Sequence, residues 1–483
     1  MNNLKPASVF NWFAKINQIP RPSKHEERMI AFLAEFGKSR GLDTHVDETG
    51  NVIIRKPATA GYEDRETVVL QSHMDMVCDK LVDREIDFLN DPIETYVDGE
   101  WMRARGTTLG ADDGMGDAME LALLDADDIP HGPIECVFTR DEETGLTGAN
   151  GMKPDFMSGR YLINLDSEDE GQIFVSCAGG INTEASFRFT KEEVPGMFFI
   201  RIAVKGLNGG HSGDDIDKKR ANAIKLLARF VYNEMQKTTV RIAAFNSGKL
   251  HNAIPRDGYV ILAVPTQDKE MVRADWNVFA TEVADEFHVT DTNMEFMMES
   301  ADVQPVMDAA TSDRLIRALQ ALHNGILAIC QDKEMNGLVE TSSNLASVET
   351  GDGVVNVVTS QRSSVMSNRE NMSNTVKAAF ELAGAEVTQS DGYPAWKMNP
   401  NSELTRITVE TYRKLFGKDP IVKGIHAGLE CGLFSEKYPG MDMVSFGPTL
   451  RDVHTPAERL HIPSVEMVWN HLLEILKNIP VRQ

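Results

Sequence analysis

His73 and Asp75, within QSHMDMVCDK (residues 71–80), stand two positions apart at the end of the apolar run Val68-Val69-Leu70. Residues i and i+2 of a strand share a face, so the carboxylate can accept the imidazole N–H left over when the other ring nitrogen binds a metal. Alone, a His-x-Asp is more often an ordinary hydrogen-bonded pair. Its company changes that reading. TLGADDGMGD (108–117) sets Asp112 and Asp113 among Gly110, Gly114 and Gly116, and glycines serve where a backbone must bend sharply to aim a short carboxylate inward. They do not match the dinucleotide fingerprint and no Gly-Lys-Ser/Thr follows, which excludes a nucleotide loop; a plain Asx turn stays open. RDEETG (140–145) supplies Glu142 and Glu143, adjacent residues that on an extended chain face opposite ways, one toward metal and one toward substrate. Asp166 ends RYLINLDSED (160–169), and DVHTPAERL (452–460) brings His454, 381 positions after His73. Two histidines, two aspartates and a glutamate on five separate strand ends make the ligand count of a dinuclear zinc site with one bridging carboxylate, the metals about 3.5–4 Å apart.

Such a site needs a sheet to hold it. ETVVLQSHMD (66–75), IECVFTRDEETG (134–145), RYLINLDSED and MDMVSFGPTLRDVH (441–454) each run from a short apolar segment into ligand-type residues, the pattern of an α/β sheet with its site at the carboxyl ends of the strands. Helical period at Met29, Phe32, Leu33 and Phe36, and at Val468, Leu472, Ile475 and Leu476, predicts two helices covering that sheet. From about Phe187 to Gly392 the text changes: helical segments around Ile224 and Leu315 alternate with MFFIRIAVKG and DGYVILAVP, and no strand ends in paired carboxylates. The predicted organisation is a discontinuous catalytic domain, residues 1–186 and 393–483, with a mixed sheet flanked by helices. It is interrupted by an inserted α+β domain, residues 187–392, long enough for two similar halves although no sequence repeat is visible.

Composition narrows the function classes. The chain has 483 residues, too many for one ordinary core. Forty-nine basic against seventy-three acidic side chains leave a net charge of −24, which repels nucleic acid and anionic membrane surfaces. The N-terminus lacks the apolar core of a signal peptide and no stretch approaches the roughly 18 apolar residues of a membrane span, so a soluble cytoplasmic protein is expected. The five cysteines are odd in number and lack any C-x-x-C spacing, which suggests neither a disulfide framework nor a thiolate zinc site.

The motifs SHMDMV, GADDGMG, DEETGLTGA, NLDSED, GGHSGDDI, HAGLECG and DVHTPAERL, spread over essentially the whole chain, resemble those of the aminoacyl-histidine dipeptidases. These Xaa-His or carnosinase-like enzymes are a branch of the cocatalytic zinc aminoacylase and carboxypeptidase superfamily. The resemblance implies that His73, Asp112 and Asp166 hold one metal and Asp112, Glu143 and His454 the other, with Asp112 bridging across a cis Asp112–Asp113 peptide. Asp75 would orient His73, and Glu142 would be the general base. The inserted domain would be a lid that also builds a homodimer. There His211 of GGHSGDD would polarise the scissile carbonyl from the same or the partner subunit, and Asn252 of LHNAIPR and Arg369 of SNRE would hold the peptide's carboxylate end. Glu430 of HAGLECG would meet the free amino group. The implied cofactors are two divalent ions, Zn2+ first, with Mn2+ or Co2+ also compatible with His and carboxylate donors. A small peptide such as β-Ala-His is the implied substrate. An N-acyl amino acid deacylase or a tripeptidase on the same scaffold is the rival within enzymes, and a non-catalytic peptide-binding protein the rival outside them.

Overall fold

The computed structural model describes residues 4–331, 335 and 337–482. Two compact units emerge: one of Met1–Ser176, Trp396–Gly424 and Leu429–Gln483, the other of Cys177–Ala395 with Ile425–Gly428. The sequence-drawn boundary at 186/187 cuts the strand Gly179–Arg188, which pairs along its whole length with Val354–Ser363 and so lies in the second unit.

In the first unit, an eight-stranded sheet runs in the order Asp43–Val46, Val52–Lys56, Ile134–Thr139, Val68–His73, Tyr161–Asn164, Asp442–Ser445, Gln172–Cys177 and Ile421–Ile425. Ile134–Thr139, Val68–His73, Tyr161–Asn164 and Asp442–Ser445 are parallel to one another, whereas Val52–Lys56 and Asp43–Val46 join antiparallel. The sheet is thus mixed, and the class α/β. Every residue of Val68–His73 and of Ile134–Thr139 is buried. Burial on both faces is why these strands read as continuous apolar runs instead of an alternation. Val52, Ile54, Leu70, Cys136, Phe138 and Ile163 share a core with Met29, Leu33 and Phe36 of the helix Glu27–Ser39 and with Val468, Leu472, Ile475 and Leu476 of the helix Ile462–Lys477. Parallel strands send their carboxyl ends to one edge, and His73, Asp141 and Asp166 leave the sheet there together.

The second unit is built on a nine-stranded antiparallel sheet in the order Glu295–Ser300, Met197–Lys205, Gly258–Pro265, Arg241–Ser247, Val339–Thr350, Val354–Ser363, Gly179–Arg188 and Glu386–Gln389, with Gly325–Ile329 paired onto Val339–Thr350. Its two halves repeat a strand-helix-strand-strand-helix-strand plan. The first uses helices Ala223–Met235 and Lys269–Glu286, the second Ala309–Ala321 and Met366–Leu382. In both, the spatial order of the four strands is 4-1-3-2, and the halves join second strand to second strand at Ser247 and Val348. The whole first half is threaded between the first strand and first helix of the second half. Trp276 fills the first half's core against Phe230, Phe279 and Phe296 at ring separations of 4.8, 5.8 and 5.7 Å. Among the described residues no helix is long and apolar enough to cross a membrane, and no disulfide forms.

Candidate active site

His73 is the last residue of its strand and is 1 % exposed. Its Nε2 lies 3.2 Å from Asp112 Oδ1 and 3.7 Å from Asp166 Oδ1, while Nδ1 lies 3.4 Å from Asp75 Oδ1. On the other side of the same carboxylate, His454 Nε2 lies 3.0 Å from Asp112 Oδ2 and 3.0 Å from Glu143 Oε2. Two donor triads therefore form, His73–Asp112–Asp166 and Asp112–Glu143–His454, each with its ligand atoms within 4.8 Å of one another. Asp112 belongs to both and turns one oxygen toward each. Glu142 joins His73 and Glu143 in a third cluster of the same tightness.

The elements that deliver these side chains differ in part from five strand ends. Asp112 stands in the first turn of the helix Ala111–Asp125, just after Gly110 at φ +68°, and the Asp112–Asp113 peptide is cis. Glu142 and Glu143 begin a short helix, Glu142–Gly145, so they diverge by about 100° and not by the half-turn of a strand. Asp75 fixes that turn: its Oδ1 accepts the Glu142 N–H at 3.0 Å, its Oδ2 the Glu143 N–H at 3.3 Å and the Ser23 hydroxyl at 2.7 Å. One buried carboxylate thus faces the imidazole of His73 and anchors the backbone that carries both glutamates. His454 sits in the loop after Leu450–Arg451 at φ +62°, a conformation its sequence did not announce.

The electrostatics of the cluster call for added positive charge. Burial alone would lower His73 and His454, but the charge of Asp166 and hydrogen bonds to Asp112, Asp166 and Asp75 push His73 well up. Hydrogen bonds to Asp112 and Glu143 likewise push His454 up to about 11. Burial raises Asp166 to about 6 and Glu143 to about 7, and holds Glu142 well above the usual carboxylate range. For Asp112 burial is outweighed by the two imidazoles, which hold it well below that range. Both rings are thus driven to carry protons that the carboxylates demand, and Glu143 Oε1 is buried without a hydrogen-bond partner. Nitrogen and carboxylate donors so arranged fit two divalent cations, which would meet the same demand while the rings bind as neutral ligands.

Glu430 is fully buried, and its Oε2 accepts from Gln71 Nε2 at 2.5 Å and Thr139 Oγ1 at 2.8 Å. Burial pushes its carboxyl up to about 8. Its other oxygen, Oε1, is buried without a hydrogen-bond partner, which leaves an acceptor for the amino-group contact expected from sequence. Its proton has a consequence for stability. The folded pKa of about 8 stands above the ordinary 4.5, so between those values the native state keeps a proton the unfolded chain has released, and stability falls as pH rises through that window. In metal-free protein, Glu430→Gln is expected to flatten the loss of urea midpoint between about pH 5 and about pH 8; an unchanged slope would show that Glu430 does not hold that proton.

Within the second unit, His211 Nδ1 accepts the Gly213 and Asp214 N–H groups at 3.3 and 3.2 Å, which places the hydrogen of a neutral ring on Nε2. Asn252 is exposed, and its carbonyl accepts the Ser212 N–H at 2.8 Å, beside the His211–Ala253 ladder pair. These two residues are neighbours. Arg369 is 8 % exposed, and its Nη1 donates to the carbonyls of Gly180 and Tyr393 at 3.3 and 2.6 Å. Arg362, not singled out in the sequence and 5 % exposed, donates Nη1 to the Tyr393 hydroxyl at 2.8 Å. Its charge helps lower His251 and His426, after burial in both cases, and His426 Nε2 lies 2.8 Å from the hydroxyl of Ser342, Arg362's cross-strand partner. Nothing in SQRSSV distinguishes it from an ordinary strand arginine. Arg21 and Glu458, each at most 2 % exposed, were also missed, and both touch the Asp112 turn.

The family model described as peptidase family M20/M25/M40 matches residues 69–478. The cytosol non-specific dipeptidase of Escherichia coli strain K12 is 40 % identical over 484 residues, covering 100 % of this chain and 99 % of that protein. The crystal structure of aminoacylhistidine dipeptidase from Vibrio alginolyticus superposes with a TM-score of 0.87 at 41 % identity, covering 100 % of this chain and 98 % of that one. A tripeptidase from Staphylococcus aureus, 19 % identical with a TM-score of 0.58 over 99 % of this chain and 100 % of that one, shares the fold.

Proposed function

This chain belongs to peptidase family M20/M25/M40, and from that premise we propose that it is a metal-dependent dipeptidase that hydrolyses Xaa-His dipeptides such as β-Ala-His. The observation that carries the reading is the pair of donor triads sharing Asp112, with Glu142 beside them. Two divalent cations, Zn2+ in this proposal, held by His73, Asp112 and Asp166 and by Asp112, Glu143 and His454, would supply an acidified water and a polarised peptide carbonyl.

The chain's own residues do the rest. Glu142, clustered with His73 and Glu143, takes the proton of the attacking water and passes it to the leaving amine nitrogen. Asp75 holds the glutamate turn and the imidazole of His73 in register. His211, with its hydrogen on Nε2, donates to the developing oxyanion. Asn252 and a guanidinium, that of Arg369 or of Arg362, bind the peptide's carboxylate end. A carboxylate clamp limits cleavage to very short peptides. A cytoplasmic location belongs to the same proposal.

The test is a hydrolysis panel on metal-reconstituted protein: β-Ala-His, other dipeptides, a tripeptide and an N-acetylated amino acid. Cleavage of dipeptides with a free amine supports the reading. Preference for the acetylated amino acid or the tripeptide would replace it with the deacylase or tripeptidase activity, and no turnover at all would favour peptide binding without catalysis. We further propose a two-fold homodimer through the second unit, whose edge strand Glu295–Ser300 is largely exposed. Sedimentation at assay concentration is expected to show a dimer; a fully active monomer would rule it out.

A further inference from the structure

The Gly110 peptide is gripped from both sides by residues far from it in sequence. Its carbonyl accepts from Arg21 Nη2 at 2.5 Å. Its N–H donates to Glu458 Oε2 at 3.1 Å, alongside the Leu109 N–H to the same oxygen at 2.7 Å and the Ala111 N–H to Oε1 at 2.9 Å. The other arm of the Arg21 fork donates Nη1 to the carbonyls of Met74 and Asp75 at 3.1 and 2.9 Å, the two residues that follow His73. The Arg21 carbonyl accepts the Met76 N–H at 3.1 Å. One guanidinium therefore spans the loop after His73 and the turn before Asp112, and one carboxylate spans that turn and the His454 loop. A Cβ on Gly110 would come within 2.8 Å of Arg21 Nη2, and one on Gly114 would overlap the same atom. Two glycines of GADDGMG thus make room for Arg21.

We propose that Arg21 and Glu458 are positioning residues for the shared carboxylate of Asp112, fixing its turn against the loops that carry His73 and His454. The inference rests on the ligand set proposed above. Both are buried charged groups engaged by main-chain donors or acceptors on the two sides of one peptide, and such partners cannot be replaced by water without moving the turn. Each oxygen of Asp112 faces a different imidazole, so a displaced turn lengthens both contacts at once. The expected signature is a loss of metal affinity and of kcat with KM little changed.

The experiment compares Arg21→Met, Arg21→Lys, Glu458→Ala and Glu458→Gln with the parent. Zn2+ affinity is measured on metal-free protein by chelator competition, kcat and KM are measured on the reconstituted enzyme, and the urea midpoint is measured without metal. Arg21→Met and Glu458→Ala are expected to weaken Zn2+ binding by about 10- to 100-fold, and the conservative variants by less, with partial rescue of kcat. Where the harsher variants fail to fold, Arg21→Lys and Glu458→Gln carry the test alone. Folded variants with parental Zn2+ affinity overturn the proposal, including those that merely lose stability. A parent that binds Zn2+ but cleaves no dipeptide defeats the proposed function and leaves this inference to be judged on affinity; a parent that binds no Zn2+ defeats both.

Discussion

Glu142→Gln is expected to lower turnover of β-Ala-His by about 10²–10⁴-fold, the range for a positioned proton acceptor, while metal content and fold stay at the parental level. Glu142 shares its turn with Glu143, but only Glu143 reaches His454, at 3.0 Å, and joins the second triad. Removing the carboxylate charge at 142 leaves both triads and the Asp75 anchor intact, because that anchor holds the main-chain N–H groups and not the side chain. Glu143→Gln should do the reverse and strip metal. Steady-state kinetics with elemental analysis on both variants decides it. Near-normal activity in the first variant, or metal loss in the first and not the second, would show that the two roles are exchanged or absent.

Asp112→Ala has the largest expected effect. This side chain alone belongs to both triads, so its loss leaves each with two donors, and it exposes His73 and His454 to one fewer carboxylate. Metal content should fall to background for both positions, and with it the centre on which the acceleration rests, commonly about 10⁶-fold or more. His454→Ala, which touches one triad, should retain about one equivalent of metal. The discriminating measurement is metal stoichiometry after dialysis. Two equivalents retained by Asp112→Ala would remove the bridging role.

The sequence exposed what short-range chemistry can encode. Apolar runs ending in His73, Asp166 and the RDEETG segment marked an α/β sheet with a candidate site at the carboxyl ends of its strands, because full burial leaves strands nothing but apolar residues and concentrates polarity at their ends. Periodicity found the covering helices at Met29 and Val468 for the same reason. Placement that depends on distant partners stayed hidden. Asp112 looked like a strand-end residue, since the Gly110 turn and the helix after it are set by Arg21 and Glu458, 89 and 348 positions away from Gly110. The glycines there were read as bends, yet Gly114 is helical and leaves space for a guanidinium. Arg369 was singled out by the SNRE motif, whereas the carbonyls of Gly180 and Tyr393 that engage it lie 189 and 24 positions away. The two halves of the second unit share strand order without visible sequence repetition, because packing tolerates many apolar sets on one plan.

The threading of one module inside another also sets a timetable for synthesis. On the proposed ligand set, His73, Asp112 and Asp166 have all been made by residue 166, whereas His454 follows 288 residues later, after the innermost half, the half around it and the return strand Asp442–Ser445. At roughly 5–20 residues per second that interval lasts about 15–60 s. A nascent chain therefore has the donors for one cation long before it has those for the other, and a ribosome stalled before residue 442 would display a half-built centre lacking both His454 and the Glu458 grip on the Asp112 turn.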